Sequence, residues 1–340
     1  MSEKSRIFIE DFILIIVSIV GVGFSGGAES KHFFCCPIFP ILVIIFLILF
    51  VTFFNIIYKF KTKNKIFSFY QLNTTLFPKL KIINKLFVLF YLVLSASMLA
   101  GADELMNDVL GLNLPIASLV MCIFVYIIIL KGVDGIKKIF SKFVPIILLI
   151  IFINLFVNSF YLSSGFQNFY NLFELEKIFS VNNIRKLIMP FLFFGSNFVL
   201  AINSIINLRG NSKKISIFST ILFGVFLSLS CVVVMLNKNS GVMPLFDASK
   251  NLSDVFFWLY FVALIFSIFS TLSVSTWNEY QLCNFDSNYS LIIILIINMI
   301  ISLLGFKFII KYLYTFTGVV GIIYCLALAI KIKIFNKNQK

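Results

Sequence analysis

Apolar residues in this chain neither alternate nor recur at helical spacing; they fill long runs separated by short polar punctuation. The runs fall at about 8–34, 38–58, 84–106, 112–130, 139–159, 186–208, 214–236, 253–275, 289–306 and 310–331. Most have the ~20 residues needed to cross the hydrocarbon core of a bilayer. The pattern predicts an all-α polytopic membrane protein with about ten transmembrane helices in a single transmembrane domain over 1–340. The ninth span is short, and the first is long and interrupted.

Polar and small residues inside the runs are more informative than the runs. The first span contains "GVGFSGGAES", residues 21–30, with four glycines, two serines and Glu29. The sixth, "MPFLFFGSNFVLAINSIINL", has Pro190 near its start, Gly195, Ser196 and Asn197 in its middle, and Asn203 beyond. Proline removes a backbone donor and glycine weakens a helix. Ten spans divide into five plus five, and an odd-numbered unit repeated in tandem inserts upside down the second time, the plan of many secondary transporters. The halves are 8–159 and 186–331, and both are expected to begin with a broken helix. Unwound backbone at membrane depth persists only where protein buries it or it lines a cavity. Glycine that merely lets two helices pack closely is the competing explanation.

Other spans carry polar stripes. Ser267, Ser270, Thr271 and Ser275 share one face of the eighth. The third contains Ser95, Ser97 and Gly101, with Asp103 and Glu104 at its rim. Glu29, deeper in its motif, is the stronger functional candidate, because an intramembrane carboxylate generally marks function.

Charge refines the topology. Of 28 Lys and Arg, 20 fall on one side if the N-terminus is inside and 8 on the other, which places both termini in the cytoplasm. The net charge of +14 is explained by this distribution and by a chain-wide bias toward Lys, so no nucleic-acid partner is inferred. The basic loop 59–83 reads as an ordinary cytoplasmic loop, and the aromatic loop 160–185 as an interfacial helix or lid. Glu10 and Asp11 argue against a signal peptide at the first run. The six cysteines form no CxxC pair and the only histidine is His32, so no metal site is expected.

In order and spacing, "VGVGFSGGAESKHFF", "MLAGADELMNDVLGLNLP", "LKGVDGIKKIFSKFVPIILL", "PFLFFGSNFVLAINSIINLRG" and "MPLFDASKN" followed by "IFSTLSVS" resemble the YkvI-type membrane proteins. That family belongs to the amino acid–polyamine–organocation superfamily, which shares the LeuT fold. The resemblance covers about 8–275. It implies a transporter core, with sodium between first-helix carbonyls at Gly21 and Phe24 and the hydroxyls of Ser270 and Thr271. Asn197 agrees with the family pattern, whereas Asp103 and Glu104 replace small residues.

The expected function is secondary active transport of a small organic, amino-acid-like solute across the cell membrane, coupled to Na⁺ or H⁺. Gly23, Ser25, Gly26, Glu29, Ser97, Gly195, Ser196 and Asn197 are the expected solute-binding residues. The solute's carboxylate is placed on the amides around Gly23, Ser25, Gly26 and Gly195. No cofactor other than a bound Na⁺ is expected, and no nucleophile–base pair or phosphate loop points to an enzyme. The alternative is a solute sensor on a transporter scaffold, without net flux. A structural assembly factor would leave the polar stripes unexplained.

Overall fold

The structure is a computed structural model, and it describes residues 3–78, 82–111, 115–162, 186–210, 212–237, 241–283 and 288–338. In chain order the helices are α1 (Glu3–Ile19), α2 (Val22–Ser25), α3 (Phe39–Asn64), α4 (Phe69–Leu76), α5 (Ile82–Leu110), α6 (Ile116–Ile129) and α7 (Gly132–Leu162). They continue with α8 (Met189–Ile206), α9 (Ser212–Leu236), α10 (Pro244–Ser249), α11 (Asp254–Cys283), α12 (Asn288–Ser302), α13 (Phe306–Phe308) and α14 (Tyr314–Asn338). Single π-helical turns occupy Ser30–Phe34 and Ile309–Leu313.

Seven of these segments are long and apolar enough to cross a membrane. Two shorter apolar helices, Ile116–Ile129 and Tyr289–Ser302, and the interrupted segment formed by α1, α2 and the first π turn make up the ten expected spans. The protein is a multi-pass membrane protein. The stretch 163–185, which contains most of the aromatic loop, lies outside the described residues.

Burial sorts the spans into inner and outer ones. Residues 13–30 of the first span are all buried, as is nearly all of α8. The two lie side by side at the centre. Outer helices present apolar stripes: Phe316, Val319, Ile323, Leu326 and Ile330 are exposed along one face of α14, and Ile41, Ile44 and Ile48 along α3. That spacing of three and four residues faces lipid.

The sixth span corrects the sequence reading. α8 is continuous from Met189 to Ile206, and Pro190 sits in its first turn, where the missing N–H costs nothing. Gly195 does not unwind the chain. It meets Gly318 and Gly321 of α14 so closely that a Cβ on Gly195 would strike the Gly318 carbonyl oxygen, and one on Gly321 would strike that of Gly195. Two backbones in such contact replace the side-chain packing that hydrophobic burial cannot drive between helices in lipid. The expected matching breaks therefore reduce to one, in the first span.

Two outcomes check this architecture. Gly321→Leu forces α8 and α14 apart and lowers stability in detergent unfolding by about 1–3 kcal/mol, whereas Gly224→Ala meets only the flexible end of Leu47 and is mild. Single cysteines at Lys63 and Lys307, both exposed and at opposite ends of the bundle, label from opposite faces of the membrane.

Candidate functional site

The first span breaks between Ile19 and Val22, where Gly21 adopts an extended conformation. The break leaves the Val17 and Val20 carbonyls facing α11. Thr271 Oγ1 donates at 2.8 Å from the Val17 oxygen and 3.0 Å from that of Val20, and Ser267 Oγ donates to Val20 O at 2.9 Å. Ser25 Oγ reaches Gly21 O at 2.7 Å and lies 3.2 Å from Ser267 Oγ. Tyr260 Oη, also on α11, donates to Ser25 O at 2.6 Å. The Val22 amide turns to Met98 Sδ on α5, 3.4 Å away. Gly21 is required here: a Cβ would lie 2.7 Å from the Met98 sulfur and 3.2 Å from Thr271 Cγ2.

The hydroxyl–carbonyl pairing differs in register from the expected one. Ser267 and Thr271 meet the first span, while Ser270 donates back to the Ser267 carbonyl in its own helix. The carbonyls they meet are those of Val17 and Val20. The Gly21 oxygen accepts from the Ser25 amide and hydroxyl, and the Phe24 oxygen from the Gly27 amide. The expected amide set changes as well. The Ser25 and Gly26 amides donate to Gly21 and Val22 carbonyls, and Gly195 lies inside a continuous helix, so none of the three is available to a ligand as expected.

A second break follows α2. Gly27 has φ of +85°, a left-handed conformation that glycine adopts without penalty, and the chain turns there into Glu29 and the first π turn. The Glu29 side chain folds back over Gly23, whose missing Cβ makes room for the carboxyl group. Glu29 is 1% exposed, and its Oε2 has no hydrogen-bond partner among the described residues. The Asn197 and Tyr314 side chains stand beside the carboxyl group. Tyr314 Oη lies 3.3 Å from Ser97 Oγ, and Asn197 Nδ2 reaches Ser196 Oγ at 3.3 Å and Phe193 O at 3.1 Å. Glu29, Ser97, Ser196 and Asn197 therefore come together, on the first span, α5 and α8.

Sequence reasoning missed Tyr314, Tyr260 and Met98. Glu29 immediately precedes one π turn and Tyr314 immediately follows the other. Such turns insert an extra residue into the helical register, often at functional sites. The rim carboxylate Asp103 accepts the Ser118 amide at 2.9 Å, which caps the start of α6.

Both ends of the first span are fastened. At one, the Asp11 carboxylate accepts the Arg209 and Gly210 amides at 2.6 and 2.7 Å and faces Lys137 Nζ at 3.6 Å. The Asp11 and Lys137 side chains are 1% and 4% exposed, and Lys137 also donates to Asn207 O. At the other, Lys31 Nζ donates to Gly241 O at 3.0 Å, and His32 Nε2 lies 3.1 Å from Thr315 Oγ1. The polar cluster thus lies between these two sets of contacts.

A scan against protein-family models finds no match, and a search of curated proteins finds none. Solved structures do match. Mhp1, a nucleobase-cation-symport-1 family transporter in a closed conformation with bromovinylhydantoin bound, is 14% identical, with a TM-score of 0.55 over 87% of this chain and 70% of its own. The chain shares that fold. A manganese transporter from Eremococcus coleocola, in complex with an aromatic bis-isothiourea substituted compound, is 11% identical over 98% of this chain and 76% of its own. Its TM-score of 0.49 is too low to carry the fold.

Two variants test the local geometry. Asp11→Asn leaves the Lys137 ammonium buried without its counter-ion and costs about 3 kcal/mol in detergent unfolding. Gly23→Ala displaces the Glu29 carboxyl while Gly224→Ala does not, which solute-dependent stabilisation of the purified protein reads out.

Proposed function

We propose that this protein is a secondary active transporter of a small organic solute bearing N–H donors, amino-acid-like or amine-like, with Glu29 as the coupling proton carrier. One observation carries the reading: a buried carboxylate oxygen without a partner, at the helix break, between hydrogen-bonding side chains of α8 and α14. A charge inside the membrane is costly and persists where it is used. An acceptor oxygen favours a donor, so the solute's amine is assigned to Glu29 and its polar remainder to Asn197 and Ser97. The fold shared with a transporter supports the reading. The YkvI-type kinship and the cytoplasmic placement of both termini belong to this proposal.

Proton coupling is preferred to sodium coupling for a geometric reason. Thr271 and Ser267 donate directly to the Val17 and Val20 carbonyls at 2.8–3.0 Å. These bonds satisfy the broken helix without an ion. A cation held by the same oxygens would compete with these bonds.

Reconstitution into vesicles decides between transport and sensing. Labelled solute exchanges against unlabelled solute in counterflow if the protein transports; a sensor binds and does not exchange. Uptake in the wild type rises as the external pH falls, and Glu29→Gln abolishes that dependence. Asn197→Ala weakens solute binding about tenfold, equivalent to about 1.4 kcal/mol. Sodium-dependent uptake lost in Thr271→Ala, with pH dependence kept in Glu29→Gln, would overturn the proton assignment.

A further inference from the structure

A second intramembrane carboxylate lies apart from the central site. Glu279, near the end of α11, is fully buried. Asn298 of α12, also fully buried, donates from Nδ2 to Glu279 Oε2 at 3.1 Å. That single bond uses half of each group. Glu279 Oε1 and Asn298 Oδ1 are both buried, and neither has a hydrogen-bond partner among the described residues. Both are acceptors if the carboxyl is ionised, so neither can satisfy the other. An unpaired buried acceptor costs about 1–3 kcal/mol, and more if charged.

A single proton removes the conflict. With a hydrogen on Oε1 the carboxylic acid becomes a donor. It can then donate to Asn298 Oδ1 while Asn298 Nδ2 donates to Oε2, closing a two-bond ring between acid and amide. Two orphaned atoms are satisfied, and no net charge remains in the membrane.

Among the described residues no ion pair supplies Glu279 with a counter-charge. On α11 itself the neighbouring titratable groups are Tyr280, the next residue, and Cys283, one turn on. From α5 come Tyr91, which stands beside Asn278, and Lys85, which is exposed. From α7 comes Lys137, already engaged by Asp11 of α1. α6 brings Cys122 and Tyr126, and the Asp247 of α10 lies at the opposite end, beside Lys250.

A cavity opens one helical turn from Glu279. Cys283 shares the face of Glu279 at i, i+4 spacing and lines a cavity of about 670 Å³ between α4, α5 and the end of α11, with Tyr70, Asn73, Asn84 and Lys85. The neighbouring residue Asn278 is hydrogen-bonded to Asn203 of α8. The carboxyl group therefore sits one residue from a contact between α11 and the central helix α8.

We propose that Glu279 is a proton-binding site, with the proton shared between Glu279 and Asn298 and exchanged with water through the cavity lined by Cys283. The inference does not rest on the transport reading, since proton binding here is measurable without solute.

Infrared difference spectroscopy of the full-length protein, titrated from acid to alkaline pH in detergent, tests it. The wild type should show the carbonyl band of a protonated, hydrogen-bonded carboxyl at neutral pH, lost on alkalinisation. Glu279→Gln, which keeps an amide–amide ring of the same shape, should lose that band, while Glu29→Gln should retain it. Asn298→Val keeps the carboxyl but removes its partner, and should shift the band to higher frequency. A neutral-pH band unchanged in Glu279→Gln, or unshifted in Asn298→Val, would overturn the proposal. So would the absence of such a band in a wild type whose unfolding temperature rises with Na⁺ in a Glu279-dependent way, which assigns the site to a metal cation.

Discussion

The structure depends on how the first span satisfies its own broken backbone. Each unpaired N–H or C=O in a bilayer costs several kcal/mol. The break at Val20–Gly21 survives because α11 supplies hydroxyl donors at the right depth and α5 supplies a sulfur acceptor. These contacts fix the position of α2 and hence of Gly27, Glu29 and the π turn that follows.

The same constraint explains the architecture around the site. A helix interrupted twice within ten residues has little ladder of its own, so it is held from outside by α5, α8 and α11, and fastened at both ends by Asp11 and by Lys31 and His32. α8 is rigid by contrast. Its glycine contact with α14 brings Asn197 and Tyr314 together beside Glu29. The site thus joins an interrupted helix to a continuous one.

Much of this was legible in the sequence, for identifiable reasons. Span number follows from apolar run length, which is a direct consequence of bilayer thickness. The first break was legible because glycines, serines and a glutamate crowd into one stretch. Gly195 misled because unwinding and close packing demand the same residue. Only the presence of Gly318 and Gly321 opposite it, more than a hundred positions away in the chain, decides between them. Helix rotation was the other blind spot: Ser267, Ser270 and Thr271 share a broad face, yet only the first and last point at the broken backbone. Tyr314 carried no signal, because a π turn moved it into the site and nothing in "KYLYTF" announces such a turn. Asp11 read as evidence against a signal peptide, while its partners, two amides near residue 210, are set by the fold alone.

The most direct test of the central claim is an experimental structure with a solute that drives counterflow. The account predicts the solute within hydrogen-bonding distance of Glu29 and Asn197, beside a first span still broken at Gly21 and Gly27 and an unbroken α8. A solute held elsewhere, with one continuous helix running from Glu3 past Glu29, would contradict it.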